Sequence, residues 1–408
     1  MALDDLAREY LALSFAIERL FAGFIDAYFG PPEIKEAALA EPEPDPAALL
    51  ARAHELLSVV AAADLLESRK DFLTAQVGAM VTICRKLSGE PVDYLHEVRT
   101  LFDIEPAFTP EATFDASIAE LDALLPGEGD VRERMIDWRK RYVVDIETAR
   151  RMIDLIAAET RRRTQAFVSL PEGEDVEVVF VQDKPWRGYN WYLGDYRSQV
   201  EINTDLPIYA QELTALIAHE GYPGHHTEHA LKEQILFRDH GYGEHAIQLI
   251  NTPECVISEG IATLAESVVF PDGDGARWRA EHLYPLAGLT GDPEREARIA
   301  RATAALRAVS GNAALLLHHE GRSEDEVLAY IMRYALRAEN EARQSLRFVA
   351  DPLWRAYTFT YHVGRDLLGR WLDLAPKTER QSRFLLPLIG QVIPFHVQRW
   401  IAEETIAP

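Results

Sequence analysis

A proline and a glycine interrupt what would otherwise read as one histidine-bearing helix: His219-Glu220-Gly221-Tyr222-Pro223-Gly224-His225-His226. The stretch carries three of the chain's 13 histidines, and His229 follows closely. Neutral imidazole is the commonest protein ligand for zinc, and a carboxylate beside it can take a proton from water that the metal activates. In the one-helix arrangement H-E-x-x-H, histidines at i and i+4 share a face. Here Pro223 occupies the place of the second histidine. His226, at i+7, would return to the face of His219 on an unbroken helix, but about 10 Å further along the axis. Two metal–nitrogen bonds of about 2 Å cannot converge across that gap. Either the helix is broken, or the histidines share no metal.

Pro223 and Gly224 supply a break. Proline inside a helix loses one hydrogen bond and clashes with the preceding turn, and glycine accepts the backbone angles that follow. A looped-out Gly-Tyr-Pro segment lets His225 or His226 swing back beside His219. The competing reading is a helix that ends in a polar loop with solvated histidines. A glutamate directly after the first of three clustered histidines favours the metal.

Composition narrows the setting. With 408 residues, 48% hydrophobic and 26% charged, the chain can bury a large core in one domain or two to three smaller ones. The net charge of −24, from 66 acidic against 42 basic residues, disfavours nucleic acid and anionic membranes as partners. Only Cys84 and Cys255 are present, which excludes a disulfide framework and makes a reducing compartment the default. The start Met-Ala-Leu-Asp-Asp lacks the basic and apolar regions of a signal segment, so a cytoplasmic enzyme is expected.

Helical periodicity dominates the chain. Leu6, Tyr10, Leu13, Ile17 and Leu20 form one face of a first helix, which the Phe-Gly-Pro-Pro turn at 29–32 redirects. A long helix is expected over residues 131–167, and long helical patterns over 47–87 and 293–319. Its basic clusters, Arg139-Lys140-Arg141 and Arg161-Arg162-Arg163, read as a solvated face or as partners of acidic neighbours. The period changes at Val176–Val181, Gly188–Leu193 and Ser198–Thr204, with Asp-Lys-Pro closing the first run and Gly194-Asp195 as a hairpin turn. These predict a small antiparallel sheet immediately before the histidine helix. Its edge could pair with an extended peptide, or the hairpin could simply cover the core; Asn190 and Tyr192 are the expected substrate-facing residues. Ser323 and Glu326 predict a capping box, and Asp351-Pro352 the start of a helix holding Tyr357, Tyr361 and His362.

A catalytic zinc has three protein ligands and one open position. His219 and one of His225 or His226 supply two. Matching Gly224-His225 to the Gly-His of a simpler H-E-x-G-H motif favours His225; a bend that keeps helical phase favours His226. Glu259 is the choice for the third, on a separate expected helix beside Gly260, which permits close approach of another backbone. Taken alone, such a glutamate is usually solvated.

The run His-Glu-Gly-Tyr-Pro-Gly-His-His, then Glu259-Gly260-Ile261-Ala262, then Tyr361-His362-Val363-Gly364, resembles a large bacterial family catalogued as a domain of unknown function, number eight-eight-five, taken to be zinc metallopeptidases. Its pattern is H-E-x-x-P-G-H-H, a later E-G-W-A and a late Y-x-x-G. The resemblance covers approximately residues 170–370, and Phe24 to Pro32 is similar to its Asp-x-Tyr-x-Gly-Pro stretch. One departure is Ile261 where the family usually has tryptophan. The family also resembles helical glutamate-zincins such as the oligopeptidases and the thermostable carboxypeptidase group. That implies a mainly α, zincin-like fold with a cleft: an N-terminal helical region at 1–168 and a catalytic region at 169–408, forming one unit.

The resemblance implies one zinc per chain on His219, His225 (or His226) and Glu259, with Glu220 as general base. Tyr361 or His362 would donate to the developing oxyanion, with Arg365 nearby to bind substrate. The expected function is hydrolysis of short peptides. The alternatives are hydrolysis of a non-peptide amide or ester, and a non-catalytic, zinc-stabilised helical protein.

Overall fold

The computed structural model describes residues 3–184 and 186–406. Pro185, expected to close the first strand, lies outside them. The fold is mainly α-helical, and no described helix is long and apolar enough to cross a membrane. The first helix, Asp5–Leu20, starts where the Asp4 carboxylate accepts from the Ala7 amide at 2.7 Å. Its Tyr10, Leu13 and Ile17 are buried against the helices Pro46–Ala62 and Glu67–Leu87.

Three apolar cores meet on one helix, Glu254–Val269. Cys255 and Val256 belong to the core built on the N-terminal helices, and Val269 to the core around Ile146–Thr164 and Ala210–Glu220. Ile257, Ile261, Leu264 and Val268 pack with the helices Thr358–Asp373 and Arg380–Ile389. A helix apolar nearly all round has no solvated side to turn outward, so it becomes a central pillar. This is what buries Glu259, which is 3% exposed.

Several long helical patterns are shorter than the periodicity predicts. The pattern at 131–167 divides into Val131–Lys140 and Ile146–Thr164. Between them Val143 and Val144, both β-branched, pair with Ile208 and Tyr209, and Asp145 caps the next helix through the Thr148 amide at 2.8 Å. The patterns at 47–87 and 293–319 are likewise divided, at residues 63–66 and 303–308. The helix expected to start at Asp351-Pro352 begins instead at Thr358, with residues 351–357 in turns before it. The capping box of Ser323 and Glu326 forms as expected. The basic clusters are paired: Arg139 lies 2.9 Å from Glu212 and 2.7 Å from Glu341, and Arg163 lies 2.6 Å from Glu159.

The expected strands form at Asp175–Val181, Gly188–Gly194 and Arg197–Asn203. The second and third make the antiparallel hairpin, turning at Asp195 and Tyr196 with φ of 50° and 60°. The first strand joins the other side of the third in parallel, so Gly188–Gly194 is an edge strand. It packs beside the helix Ala210–Glu220. A further two-stranded sheet, also unexpected, pairs Ile25–Tyr28 with Ile247–Leu249.

Candidate metal centre

The helix Ala210–Glu220 stops at Gly221, whose amide still reaches the Ile217 carbonyl at 2.9 Å. A loop of four residues follows, and a new helix opens at His225. Gly224 makes this reversal tight: a Cβ there would sit 1.9 Å from the His219 carbonyl oxygen. Only glycine lets the chain fold back so closely. The break sets the rings of His219 and His225 4.8 Å apart, nearly perpendicular at 86°. The looped-out segment expected from Pro223 and Gly224 is therefore present.

Glu259 meets both rings from the central helix. Its Oε2 is 3.4 Å from Nε2 of His219, and its Oε1 is 3.8 Å from Nε2 of His225. One ligand atom from each of the three residues lies within 4.8 Å of the others. Glu259 is steadied by Tyr357, whose hydroxyl donates to Oε1 at 2.8 Å, while Oε2 is buried with no partner. The neighbouring glycines explain this approach. A Cβ on Gly364 would sit 2.1 Å from the Val256 carbonyl, so Thr358–Asp373 crosses Glu254–Val269 at backbone contact and brings Tyr357 and Tyr361 over Glu259. The second nitrogen of His225 is 3.1 Å from Ser258 Oγ, which in turn donates to Glu228 at 2.6 Å. That fixes the ring with Nε2 toward Glu259.

These groups line a cavity of about 880 Å³, mouth included, together with Asp26, Tyr189, Asn190, Glu220, His229 and Tyr361. Burial pushes the Glu220 carboxyl well above its ordinary range, and the charges of Glu259 and Asp26 push it further. Burial also lifts Glu259 to about 8, against the Tyr357 hydrogen bond. The histidines move the other way, and for the same first reason. Burial lowers His219 to about 4, and lowers His225 well below its usual value with help from His219 and His229. Neutral imidazoles beside crowded carboxylates fit a divalent cation, and the unpartnered Glu259 Oε2 is the atom it would satisfy. Ligand atoms around a tetrahedral ion at about 2 Å stand roughly 3.3 Å apart, close to the His219–Glu259 separation.

The other expected site residues divide. Tyr361 and Asn190 line the cavity, and Asn190 Nδ2 donates to the Glu220 carbonyl at 2.6 Å, holding the end of that helix. His226 is turned away: Nδ1 lies 2.9 Å from Ser198 Oγ and Nε2 lies 3.0 Å from Glu174, so both nitrogens are occupied by protein. His362, about 100° round the helix from Tyr361, packs against Phe359 and beside Gly311 instead. Arg365 donates to the Thr263 carbonyl and does not line the cavity. Tyr192, about 7 Å beyond Asn190 along the strand, bonds Glu233 and packs against Phe29 and His229.

Asp26 and Tyr357 are among the cavity residues that the sequence alone does not single out. Asp26 lies in the Asp-x-Tyr-x-Gly-Pro stretch, at the irregularity in register between Ile25 and Ala27, and such bulges re-aim side chains. It accepts from the Tyr189 hydroxyl, and burial lifts its carboxyl to about 6. Tyr357 precedes Tyr361 by four positions, so helical spacing alone puts both on one face.

Fold and site together define a mainly helical chain with two histidines and a glutamate clustered in a cavity. No protein-family model matches it, and no curated protein matches it. Among solved structures, a candidate lipoprotein from Colwellia psychrerythraea aligns over 87% of this chain and 66% of its own, with a TM-score of 0.55 and 18% identity. This chain thus spans just under two thirds of that protein's length. A candidate lipoprotein of unknown function from Shewanella oneidensis aligns over 91% of this chain and 76% of its own, at a TM-score of 0.52 and 13% identity. Both share the fold. Metallocarboxypeptidase 1 of Trypanosoma cruzi aligns over 99% and 96%, but its TM-score of 0.43 and 12% identity carry no argument.

Proposed function

We propose that this chain is a zinc-dependent hydrolase, specifically a metallopeptidase acting on short peptides. The observation that supports it is the convergence of His219, His225 and the unpartnered Glu259 Oε2 within 4.8 Å. Two histidines and a glutamate are a donor set of catalytic zinc sites. Bound there, the ion supplies a Lewis acid that polarises water and a carbonyl.

The remaining chemistry belongs to side chains. Glu220 follows His219 directly, lines the cavity, and has no described side chain bonded to its carboxylate. It would take a proton from the attacking water and return it to the leaving amine. The Tyr361 hydroxyl would donate to the substrate oxygen as charge develops there. Tyr357 holds Glu259 in place. The edge strand at Gly188–Asn190, on the cavity wall, can accept an extended substrate by main-chain hydrogen bonds. Cys84 and Cys255 are both free and buried, which supports a reducing, cytoplasmic setting.

Elemental analysis after dialysis tests the reading, together with digestion of a peptide library. About one zinc per chain and cleavage of some peptides are expected. Zinc content unchanged in a His219→Ala, Glu259→Ala double variant would sink the site; bound zinc without hydrolysis of any peptide, amide or ester favours the non-catalytic alternative.

A further inference from the structure

The cavity holds more carboxylates than a metal would engage. Its walls carry five carboxylates, Asp26, Glu220, Glu228, Glu254 and Glu259, against one ammonium, Lys232. That ammonium is already committed, 2.7 Å from Glu228 and 2.7 Å from Glu254. No arginine lines the cavity among the described residues. Lys232 and a doubly charged ion can together pair three of the five carboxylates, and two are left without a cationic partner.

Two buried acceptor oxygens on the walls carry the same bias. Asn190 is 5% exposed, and its Oδ1 is buried with no partner. Oε1 of Gln248, another wall residue, is also buried without a partner. Gln248 stands opposite Ala27 in the strand pair that presents Asp26. Asp26 itself accepts from Tyr189 through Oδ1 alone. A carboxylate-bearing ligand would meet acceptors and like charge here, whereas a protonated amine meets partners.

We propose that the cavity selects its substrate by a protonated amine, seated on Asp26 near the acceptor oxygens of Asn190 and Gln248, and not by a terminal carboxylate. The inference rests on the metallopeptidase reading and names its substrate class: peptides held by an N-terminal ammonium or by a basic side chain.

Calorimetric titration of the zinc-loaded full chain separates these sources without needing turnover. Leucinamide carries only an α-ammonium, N-acetyl-lysinamide only a side-chain ammonium, and N-acetyl-leucine only a carboxylate. At least one ammonium ligand is expected to bind tenfold or more tighter than N-acetyl-leucine, and the preferred one identifies the source. Asp26→Asn, which can keep the Tyr189 hydrogen bond, should weaken that ligand by about ten- to a hundredfold, the usual worth of a charged hydrogen bond. N-acetyl-leucine binding as tightly as either amine, or no heat from the amines, overturns the proposal. So does parent affinity in Asp26→Asn, the result expected of an amine bound straight to the metal. A protein that binds the amine but hydrolyses nothing overturns the hydrolase reading and leaves this one standing.

Discussion

Tyr357 donates its hydroxyl to Oε1 of Glu259 at 2.8 Å, and this leaves Oε2 as the unpartnered oxygen, 3.4 Å from Nε2 of His219. A tyrosine 98 positions away along the chain thus decides how the glutamate is presented. Tyr357→Phe keeps the ring and removes that restraint. Supporting groups of this kind typically contribute about 10–100-fold to metal affinity. Competition with a chromophoric chelator should show zinc held that much more weakly; unchanged affinity would mean the bond does not orient Glu259.

The two carboxylates beside the histidines should separate cleanly. Glu220→Gln preserves shape and removes the base, so turnover of a screened peptide should fall by about 10²–10⁴-fold with zinc retained. Glu259→Gln should lose zinc and activity together. Zinc lost from Glu220→Gln and kept by Glu259→Gln would mean that the roles are reversed.

Adjacent histidines should behave as opposites. His225→Ala is expected to abolish zinc binding with little change in metal-free stability. His226→Ala strips partners from Glu174 and Ser198 inside the protein, and should cost about 1–3 kcal/mol in denaturant unfolding while zinc still binds.

Metal binding should release protons near neutral pH. In the metal-free chain Glu259 titrates at about 8, so it carries a proton at pH 7 that a metal must displace, while the His219 and His225 rings are already neutral. Zinc titrations in buffers of different ionisation enthalpy should show release of at least one proton. The same shift sets a sign for stability. The folded carboxyl holds its proton more tightly than the unfolded one, whose ordinary value is 4.5, so its contribution is full below that value and is lost as pH rises through about 8. Thermal melts of the metal-free protein should therefore lose stability over that window. A melt profile flat in pH would count against a buried, protonated Glu259.

Much of the local geometry of the candidate site is legible in the sequence because it depends on local chemistry. A proline where a helix needs a hydrogen bond, followed by a glycine, breaks the helix whatever the chain packs against, and Gly224 closes the break tightly against the His219 carbonyl. The capping box at Ser323, the alternating strands and the mainly helical character are equally local, since each depends on neighbours within a few residues.

Contacts between distant segments were decided by the tertiary structure. His225 and His226 differ by one position and equal chemistry; Glu174 and Ser198, from the sheet side, take both nitrogens of His226 and leave His225 facing Glu259. Val143 and Val144 break a helical pattern because Ile208 and Tyr209 offer them a strand partner. Asp26 reaches the cavity through a bulge whose pairing strand lies over two hundred residues later, at Ile247–Leu249. Periodicity tells which face of its own element a residue occupies, but the partner that face meets depends on packing across the whole chain. Pro223 and Gly224 alone dictate that the histidine helix breaks, because the lost hydrogen bond is local, whereas the packing of three cores on the helix Glu254–Val269 sets which side chains the break meets.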